Sequence, residues 1–281
     1  MFTLQPDGTD GSRVTNVASG TDHVIALTKA GDVYSWGCGE KGRLGRLPET
    51  QADNVSKHDV EAKRLLVTPQ KVPNTPPASA IVSGQMHSFA ICAQDDTVYA
   101  WGLNSYGQTG LPYDNDKPAS SQNEYFPKKV PALCGKGFVA GDGAETHTCM
   151  LTKTGQVYTF GRCAYGRLGQ MGIDPKDDEP KPVPGRVHGL DDKTVVSVAA
   201  GGMGNGACIT DEGEAYVWGY GDVGQLGRGD DQADAATPER LKPTKAMAGK
   251  QFSAVSFGGQ HAAVLCVDGG GGSPGGKRMR N

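Results

Sequence analysis

Short runs of β-branched and aromatic residues recur along the chain, and turn residues separate them. In the first group the runs are Val14 to Ala18, His23 to Thr28 and Asp32 to Trp36, separated by Ser19-Gly20 and Lys29-Ala30-Gly31. Short runs of this kind, bounded by glycine and small polar residues, are typical of antiparallel strands joined by tight turns. The pattern therefore predicts an all-β protein.

One unit of sequence occurs four times in full, and its first half occurs a fifth time, from Val255 to Val267. Each complete copy has an aromatic residue followed by glycine, and glycine recurs five and eight residues after that first glycine. The aromatic-glycine pairs are Trp36-Gly37, Trp101-Gly102, Phe160-Gly161 and Trp218-Gly219, and the later glycines are Gly42 and Gly45, Gly107 and Gly110, Gly166 and Gly169, Gly224 and Gly227. Such repeats of a few short strands favour the radial blades of a β-propeller over a sandwich.

The repeated glycines have a structural interpretation. Glycine permits tight turns and lets backbones approach closely, so we expect these positions at crowded interfaces between blades. The longer segments between repeats are predicted to be loops. These segments are Pro48 to Ser79, Pro112 to Pro131, Met171 to Thr194 and Arg228 to Gln251.

A polar residue occupies one equivalent position in every repeat, ahead of the aromatic-glycine pair. His23, His87, His147 and Asn205 hold this position in the complete copies, and His261 holds it in the fifth. Equivalent positions of a propeller gather around one end of its channel, so these side chains are predicted to form a ring. Two interpretations stay open: each side chain caps a turn by hydrogen bonding to backbone, or the ring is a polar contact surface. Zinc is disfavoured because its ligands must converge at about 2 Å.

Composition and charge restrict the class of protein. The 281 residues include 42 glycines and 17 prolines, which excludes a helical bundle, and a hydrophobic share of 37% is too low for a membrane protein. The absence of a long apolar run and of a secretory signal leads us to expect no membrane partner. A net charge of −3 gives no overall attraction to nucleic acid, and the seven scattered cysteines suggest neither a disulfide framework nor a zinc site.

Motifs for nucleotide or covalent chemistry are weak. Gly37 to Gly42 and Gly219 to Gly224 fit the G-x-G-x-x-G pattern of dinucleotide sites, but no helix pattern follows and the glycines fall at repeat positions. No Ser/His/Asp or Cys/His set has the context of a nucleophile. We therefore expect no cofactor, no metal, no small-molecule substrate and no covalent catalysis.

The repeat resembles that of the regulator of chromosome condensation family. The resemblance is carried by Ser19 to His23, Asp32 to Gly45 and Gly161 to Gly169, and it recurs in every copy from about residue 14 to 268. Gly37 to Glu40 and the insertion that ends in Arg64 to Pro69 are most similar to the branch that exchanges guanine nucleotide on the small GTPase Ran. The resemblance implies a seven-bladed propeller, of which this chain would supply about four and a half blades.

The resemblance also implies a function and a set of contact residues. Members of this branch are guanine-nucleotide exchange factors that stabilise nucleotide-free Ran and bind chromatin. Carried over by motif, Asp22, His147 and His261 match positions on the side that faces Ran. The GTPase-contact candidates are Asp22, His23, His87, His147, Asn205 and His261. The expected partners are a Ran-type GTPase and chromatin, and the expected location is the nucleus, with the cytoplasm as a second place.

The expected organisation is a partial propeller over residues 1–268 and a flexible, glycine-rich basic tail over residues 269–281. Repeats are expected at about 14–47, 79–111, 138–170, 195–229 and 252–268. In the tail, Lys277, Arg278 and Arg280 are candidates for a nuclear-import signal. Two alternatives to an exchange factor stay open: a non-catalytic propeller adaptor of the same repeat family, and an inactive truncated product.

Overall fold

The β-branched runs of each repeat form antiparallel meanders, as their alternation with turn residues predicts. The computed structural model describes residues 13–53, 59–202, 204–229 and 232–268 of the chain. These residues fall into two compact units. The first consists of the chain up to Ser105 together with Leu111–Val139, and the second consists of Tyr106–Gly110 and the chain from Ala140 onward.

Two four-stranded sheets form the first unit, and in each the strands pair in chain order. The first sheet contains β1 (Val14–Ser19), β2 (His23–Thr28), β3 (Val33–Gly37) and β4 (Gln70–Lys71), and the second contains β5 (Ala80–Ser83), β6 (His87–Cys92), β7 (Thr97–Gly102) and β8 (Glu124–Lys129). Their common core includes Ile25 and Val33 of the first sheet and Ile81 and Trp101 of the second.

The second unit contains two further four-stranded sheets and a two-stranded hairpin. The third sheet contains β9 (Phe138–Gly143), β10 (His147–Thr152), β11 (Val157–Gly161) and β12 (Lys181–Arg186). The fourth sheet contains β13 (Val195–Gly201), β14 (Asn205–Thr210), β15 (Ala215–Gly219) and β16 (Ala235–Arg240). The hairpin consists of β17 (Lys250–Phe257) and β18 (Ala262–Asp268). Cys149 and Val157 of the third sheet share a core with Val217 and Trp218 of the fourth.

The fourth strand of each sheet corrects the sequence prediction. β4, β8, β12 and β16 lie in the segments between repeats, which were predicted to be loops. Glu124–Lys129 and Lys181–Arg186 contain proline and several charged residues, so they lack the alternation of a half-buried strand. Proline is tolerated because each of these strands lies at the edge of its sheet and pairs on one side only. The position without an N–H can then face away from the neighbouring strand, so no inter-strand hydrogen bond is lost.

The segment between β3 and β4 also contains two helices that the all-strand prediction missed, α1 (Glu49–Ala52) and α2 (Val60–Val67). Two of its own polar side chains hold this segment in place. Arg46 donates from Nη2 to the carbonyl of Leu65 at 2.7 Å. The carboxylate of Asp53 accepts from the Lys41 amide at 2.7 Å and from the Tyr125 hydroxyl at 2.6 Å. Apolar packing also holds the insertion, because Leu66 of α2 packs against buried Leu44, Leu47 and Ala52, although no residue of α2 is itself fully buried.

The loop that follows the third strand reaches the adjoining sheet and binds its tryptophan. In the first unit, Nε1 of Trp101 donates to the carbonyl of Arg43 at 3.1 Å. In the second unit, Nε1 of Trp218 donates to the carbonyl of Arg167 at 3.0 Å. Each indole also lies against the last glycine of the same loop, where a β-carbon on Gly45 would come within 2.7 Å of the Trp101 ring. The repeated glycines thus serve the close approach that the sequence predicted.

A phenylalanine interrupts this pattern, and a threonine compensates for it. Phe160 occupies the tryptophan position of the third sheet and has no N–H to donate. Thr148, which is its cross-strand neighbour, donates from Oγ1 to the carbonyl of Gln108 at 2.7 Å. Gln108 holds the same repeat position as Arg43 and Arg167. The buried loop carbonyl therefore receives a donor even where the indole is absent.

We expect Gly166→Ala to destabilise the protein much more than Gly224→Ala. Both glycines occupy one repeat position with φ of 70° and 74°, so the cost of an L side chain in left-handed backbone, about 1 kcal/mol, is common to both. A β-carbon on Gly166 would lie 2.5 Å from Cα of Ala236, whereas one on Gly224 meets no described atom within 4 Å. In urea titrations the alanine at 166 should cost at least about 2 kcal/mol more than that at 224. Equal losses would contradict the close approach.

Thr148→Val is expected to lower the free energy of unfolding by about 1–3 kcal/mol, because it removes the hydroxyl donor from a buried carbonyl at nearly constant volume. Thr148→Ser retains the donor and serves as the control. Chemical denaturation of both variants measures the difference. A valine variant as stable as the wild type would show that the bond from Thr148 to Gln108 contributes nothing net.

Candidate functional site

The repeated polar position begins the second strand of each four-stranded sheet. His23, His87, His147 and Asn205 are the first residues of β2, β6, β10 and β14, and each pairs across the sheet with the glycine of its own aromatic-glycine motif. In every sheet, therefore, this position and the loop after the third strand lie at the same end. His261 directly precedes β18 of the hairpin.

Glycine is required opposite these positions. Gly37, which faces His23, has a φ of 115°, and a β-carbon there would collide with the carbonyl of Asp22. The Cys38 amide donates to the same Asp22 carbonyl at 2.7 Å. The carbonyl of the candidate residue Asp22 is consequently held by the turn after β3.

In the first unit the two candidate histidines are buried. His23 is 1% exposed and His87 is 0% exposed. Nε2 of His23 lies 2.9 Å from the hydroxyl of Ser88 and 3.2 Å from that of Ser83, both in the second sheet. His23 therefore bonds one sheet to the next and presents no polar atom to a partner protein.

Burial keeps both histidines neutral. Desolvation is the main cause that lowers the pKa of His23 to about 4, and the positive charge of Arg43 lowers it further. Desolvation also lowers the pKa of His87 to about 3, with a smaller contribution from His23. At neutral pH this part of the site carries no histidine charge.

In the second unit the equivalent residues bind backbone. His147 is 0% exposed, and its Nε2 lies 3.1 Å from the carbonyl oxygen of Asn205. Asn205 is 1% exposed and donates from Nδ2 to the carbonyl of Tyr220, in the loop that follows β15. The Asn205 contact matches the turn-capping interpretation, whereas the His147 contact joins the third sheet to the fourth through a backbone carbonyl.

Two of the six candidates reach the surface. The Asp22 side chain is 59% exposed and forms an ion pair with Arg43, in which Nη1 and Oδ2 are 3.3 Å apart. His261 is exposed, and its backbone carbonyl accepts from the Gly258 amide at 2.8 Å. Direct contact with a partner through a side chain is therefore open to Asp22 and His261, whereas the other four candidates could act only by supporting the surface.

Sequence reasoning missed Arg43 and Glu40. Arg43 is 2% exposed and lies under two exposed carboxylates, since its Nη2 is also 3.9 Å from Oε2 of Glu40. The signal was present in the sequence, because the residue after the second of the three repeated glycines is arginine in some copies and glutamine in others. Its meaning depends on the three-dimensional position of Asp22, which the linear pattern does not contain.

Other predicted features have simpler outcomes. In the described ranges no group of three or more His, Cys, Asp or Glu side chains could hold a metal ion. No helix among the described residues is long and apolar enough to cross a bilayer. The import-signal candidates Lys277, Arg278 and Arg280, like the whole predicted tail 269–281, lie outside the described residues.

Comparison with known proteins decides the family. The family model described as the RCC1-like domain matches residues 3–264. The chain belongs to the RCC1-like domain family. One of the solved structures that this RCC1-like domain matches is Prp20p from Saccharomyces cerevisiae, which is described by its binding properties to Gsp1p and histones. The match has a TM-score of 0.76 at 25% identity and covers 91% of this chain and 56% of the Prp20p chain. The predicted fold, a β-propeller of repeats, is confirmed.

Two curated relatives of this RCC1-like domain have different roles. The Regulator of chromosome condensation of Homo sapiens is 34% identical over 263 residues, which are 91% of this chain and 58% of that protein. The E3 ubiquitin-protein ligase HERC2 of Homo sapiens is also 34% identical, over 252 residues that are 89% of this chain and 5% of the ligase. The chain thus spans little more than half the length of the Regulator of chromosome condensation, and identity alone does not separate the two relatives.

The stability of this RCC1-like domain is expected to fall as pH decreases below about 6.5, the ordinary pKa of an unfolded histidine. Because folded His23 and His87 have pKa values of about 4 and 3, unfolding takes up protons in this range and becomes easier. Each histidine contributes up to about 1.4 kcal/mol per pH unit.

His87→Asn, which places at 87 the residue found at the equivalent Asn205, tests this dependence. Urea unfolding at pH 7 and pH 5 should give a smaller acid loss for the variant than for the wild type. Identical losses would mean that His87 is not kept neutral by burial.

Proposed function

We propose that this RCC1-like domain binds a Ran-type small GTPase and promotes release of GDP from it. The observation that carries the proposal is the Asp22 carboxylate, which is 59% exposed beside the buried His23 at the end of the first sheet. Family membership and the similarity to Prp20p, which is described by its binding to Gsp1p, support the choice of partner. The motif that places Asp22 on the Ran-facing side of the family supports the choice of residue.

Exchange of this kind requires no covalent step. A protein that binds the nucleotide-free GTPase more tightly than the loaded one must weaken nucleotide binding by the same factor. The GTPase holds phosphate and Mg²⁺ with its P-loop and its lysine. An acidic group offered near that loop stabilises the emptied, cationic site, and Asp22 has the exposure and the fixed backbone for this role.

The proposal extends to chromatin as a second partner and to the nucleus as the location. Support comes from the Regulator of chromosome condensation at 34% identity and from Prp20p, described by its binding to histones. A small net charge of −3 gives no global attraction to DNA, so this binding would depend on a local surface.

A second candidate function is that of a non-catalytic adaptor. The observation that favours it is the equal identity of 34% to the ubiquitin ligase HERC2. An adaptor would bind its partner with the same affinity whatever nucleotide the GTPase holds, whereas an exchange factor must prefer the empty GTPase. The two functions therefore differ in the ratio of the affinity for nucleotide-free GTPase to the affinity for GDP-loaded GTPase, which can be measured.

The test is the rate of mant-GDP release from Ran and the affinity for nucleotide-free against GDP-loaded Ran, with the full chain. We expect tighter binding of the empty form, and we expect the Asp22→Ala, His261→Ala double variant to weaken that binding about tenfold, as loss of central contact residues does. Equal affinity for both forms of Ran would favour the adaptor. No binding to either form would overturn the proposal.

Asp32→Ala is the matched control. Asp32 is also an acidic residue of the first sheet with a basic partner, since its Oδ1 lies 2.6 Å from Nζ of Lys71. It belongs to the turn between β2 and β3, at the opposite end of β2 from Asp22. The control should leave Ran binding unchanged. A loss as large as that of the double variant would indicate a general effect of removing carboxylates.

A further inference from the structure

The residue that follows the second of the three repeated glycines takes two forms. It is arginine in the first and third repeats and glutamine in the second and fourth. These residues are Arg43, Gln108, Arg167 and Gln225. The two residue types bind the preceding loop in opposite ways, one accepting a hydrogen bond and the other donating one.

Glutamine accepts a backbone N–H two residues earlier. Oε1 of Gln108 accepts from the Tyr106 amide at 2.8 Å, and Oε1 of Gln225 accepts from the Val223 amide at 3.1 Å. In these loops the amide is turned inward, toward the side chain.

Arginine instead donates to a carbonyl three residues earlier. Nε of Arg43 donates to the carbonyl of Glu40 at 2.8 Å, and the intervening Lys41 has a φ of 60°. The Lys41 amide is thereby turned outward, where Asp53 accepts from it at 2.7 Å.

The third repeat behaves in the same way. Nε of Arg167 donates to the Ala164 carbonyl at 2.8 Å, Tyr165 has a φ of 62°, and its amide donates to the Pro175 carbonyl at 2.7 Å. In all four loops, arginine at this position accompanies one loop conformation and glutamine the other.

The two arginines differ in what the rest of the guanidinium reaches. Nη1 of Arg167 donates to the hydroxyl of Thr146 at 2.8 Å, whereas Nη1 of Arg43 donates to the carboxylate of Asp22 at 3.3 Å. Thr146 and Asp22 hold the same repeat position, directly before the strand-starting histidine. Because the guanidinium is planar and its Nε is fixed to a carbonyl, the direction of Nη1 is fixed as well.

We propose that Arg43 is a positioning residue for Asp22: it holds the exposed carboxylate in one orientation from beneath the surface. The inference rests on the proposed function, in which Asp22 contacts the GTPase. Arg43 is 2% exposed, Trp101 binds its backbone carbonyl, and its Nε is bound to the Glu40 carbonyl. Both the backbone and the guanidinium of Arg43 are therefore held in place, while the Asp22 side chain stays 59% exposed to a partner. A glutamine at 43 would turn the Lys41 amide inward and leave Asp22 without its cation.

The test compares Arg43→Gln with Arg167→Gln, which makes the same change to a loop without a carboxylate. We expect Arg43→Gln to weaken binding of nucleotide-free Ran about three- to fivefold, as removal of a partly exposed ion pair does, and Arg167→Gln to change it less than about twofold. In a double-mutant cycle, Arg43→Gln should have no further effect in an Asp22→Asn background. Independent, multiplying effects or an equal loss from Arg167→Gln would overturn the proposal.

A second measurement separates this proposal from the proposed function. Three-bond NMR couplings that report the χ1 rotamer of Asp22 and the φ of Lys41 are recorded on the full chain, without Ran. We expect one Asp22 rotamer and a positive Lys41 φ in the wild type, and rotamer averaging with a negative φ in Arg43→Gln. If the wild type fails to bind Ran, the proposed function is overturned, and these couplings still decide whether Arg43 positions Asp22. Unchanged couplings in the variant would overturn the positioning role.

Discussion

The hydrogen bond from a buried indole to the loop of the preceding repeat is the contact on which the packing of neighbouring sheets depends. Trp101 makes it to the carbonyl of Arg43 in the first unit, and Trp218 makes it to that of Arg167 in the second. A buried carbonyl without a donor costs about as much as several surface contacts contribute. Thr148, opposite Phe160, supplies a donor by another route, which indicates that the carbonyl must be satisfied whichever aromatic residue is present.

The same bond places the candidate site. Because the indole fixes the backbone of Arg43, the guanidinium leaves that backbone in a fixed direction and lies beneath Asp22. An arginine buried for structural reasons thus supports an exposed carboxylate. The long insertion is joined to the same loop, since the Lys41 amide, turned outward by the arginine, is bound by Asp53. Packing, loop conformation and the candidate contact surface are therefore parts of one hydrogen-bonded network.

The strand-starting histidines have a supporting role in this arrangement. His23 and His87 are buried and neutral, and His147 binds a backbone carbonyl. A neutral imidazole can link two elements without the cost of burying a charge. The surface available to a partner consists of the residues beside them, such as Asp22, whose side chain is 59% exposed. Repetition of a residue type along the sequence here reflects repeated packing.

Much of the fold was readable from the sequence, because its signals are local. The spacing of the aromatic-glycine pairs predicted the repeats, and the β-branched runs predicted the three strands that each repeat supplies. The fourth strands were not predictable in this way, since strands such as Lys181–Arg186 owe their conformation to pairing at a sheet edge and contain the proline that local preference excludes. The α2 helix was missed as well, because it is short and none of its residues is fully buried.

For the site, the sequence by itself determined which residues occupy equivalent positions, and the register of each sheet agrees with that equivalence. It did not determine which of them reach solvent. That was decided by tertiary structure, because burial of His23 depends on hydroxyls of Ser83 and Ser88, which are 60 and 65 residues away in sequence. The ion pair of Asp22 with Arg43 also depends on the tertiary structure. Both residues occupy repeat positions in the sequence, but only the folded loop after β3 places the Arg43 guanidinium beside the Asp22 carboxylate at the start of β2.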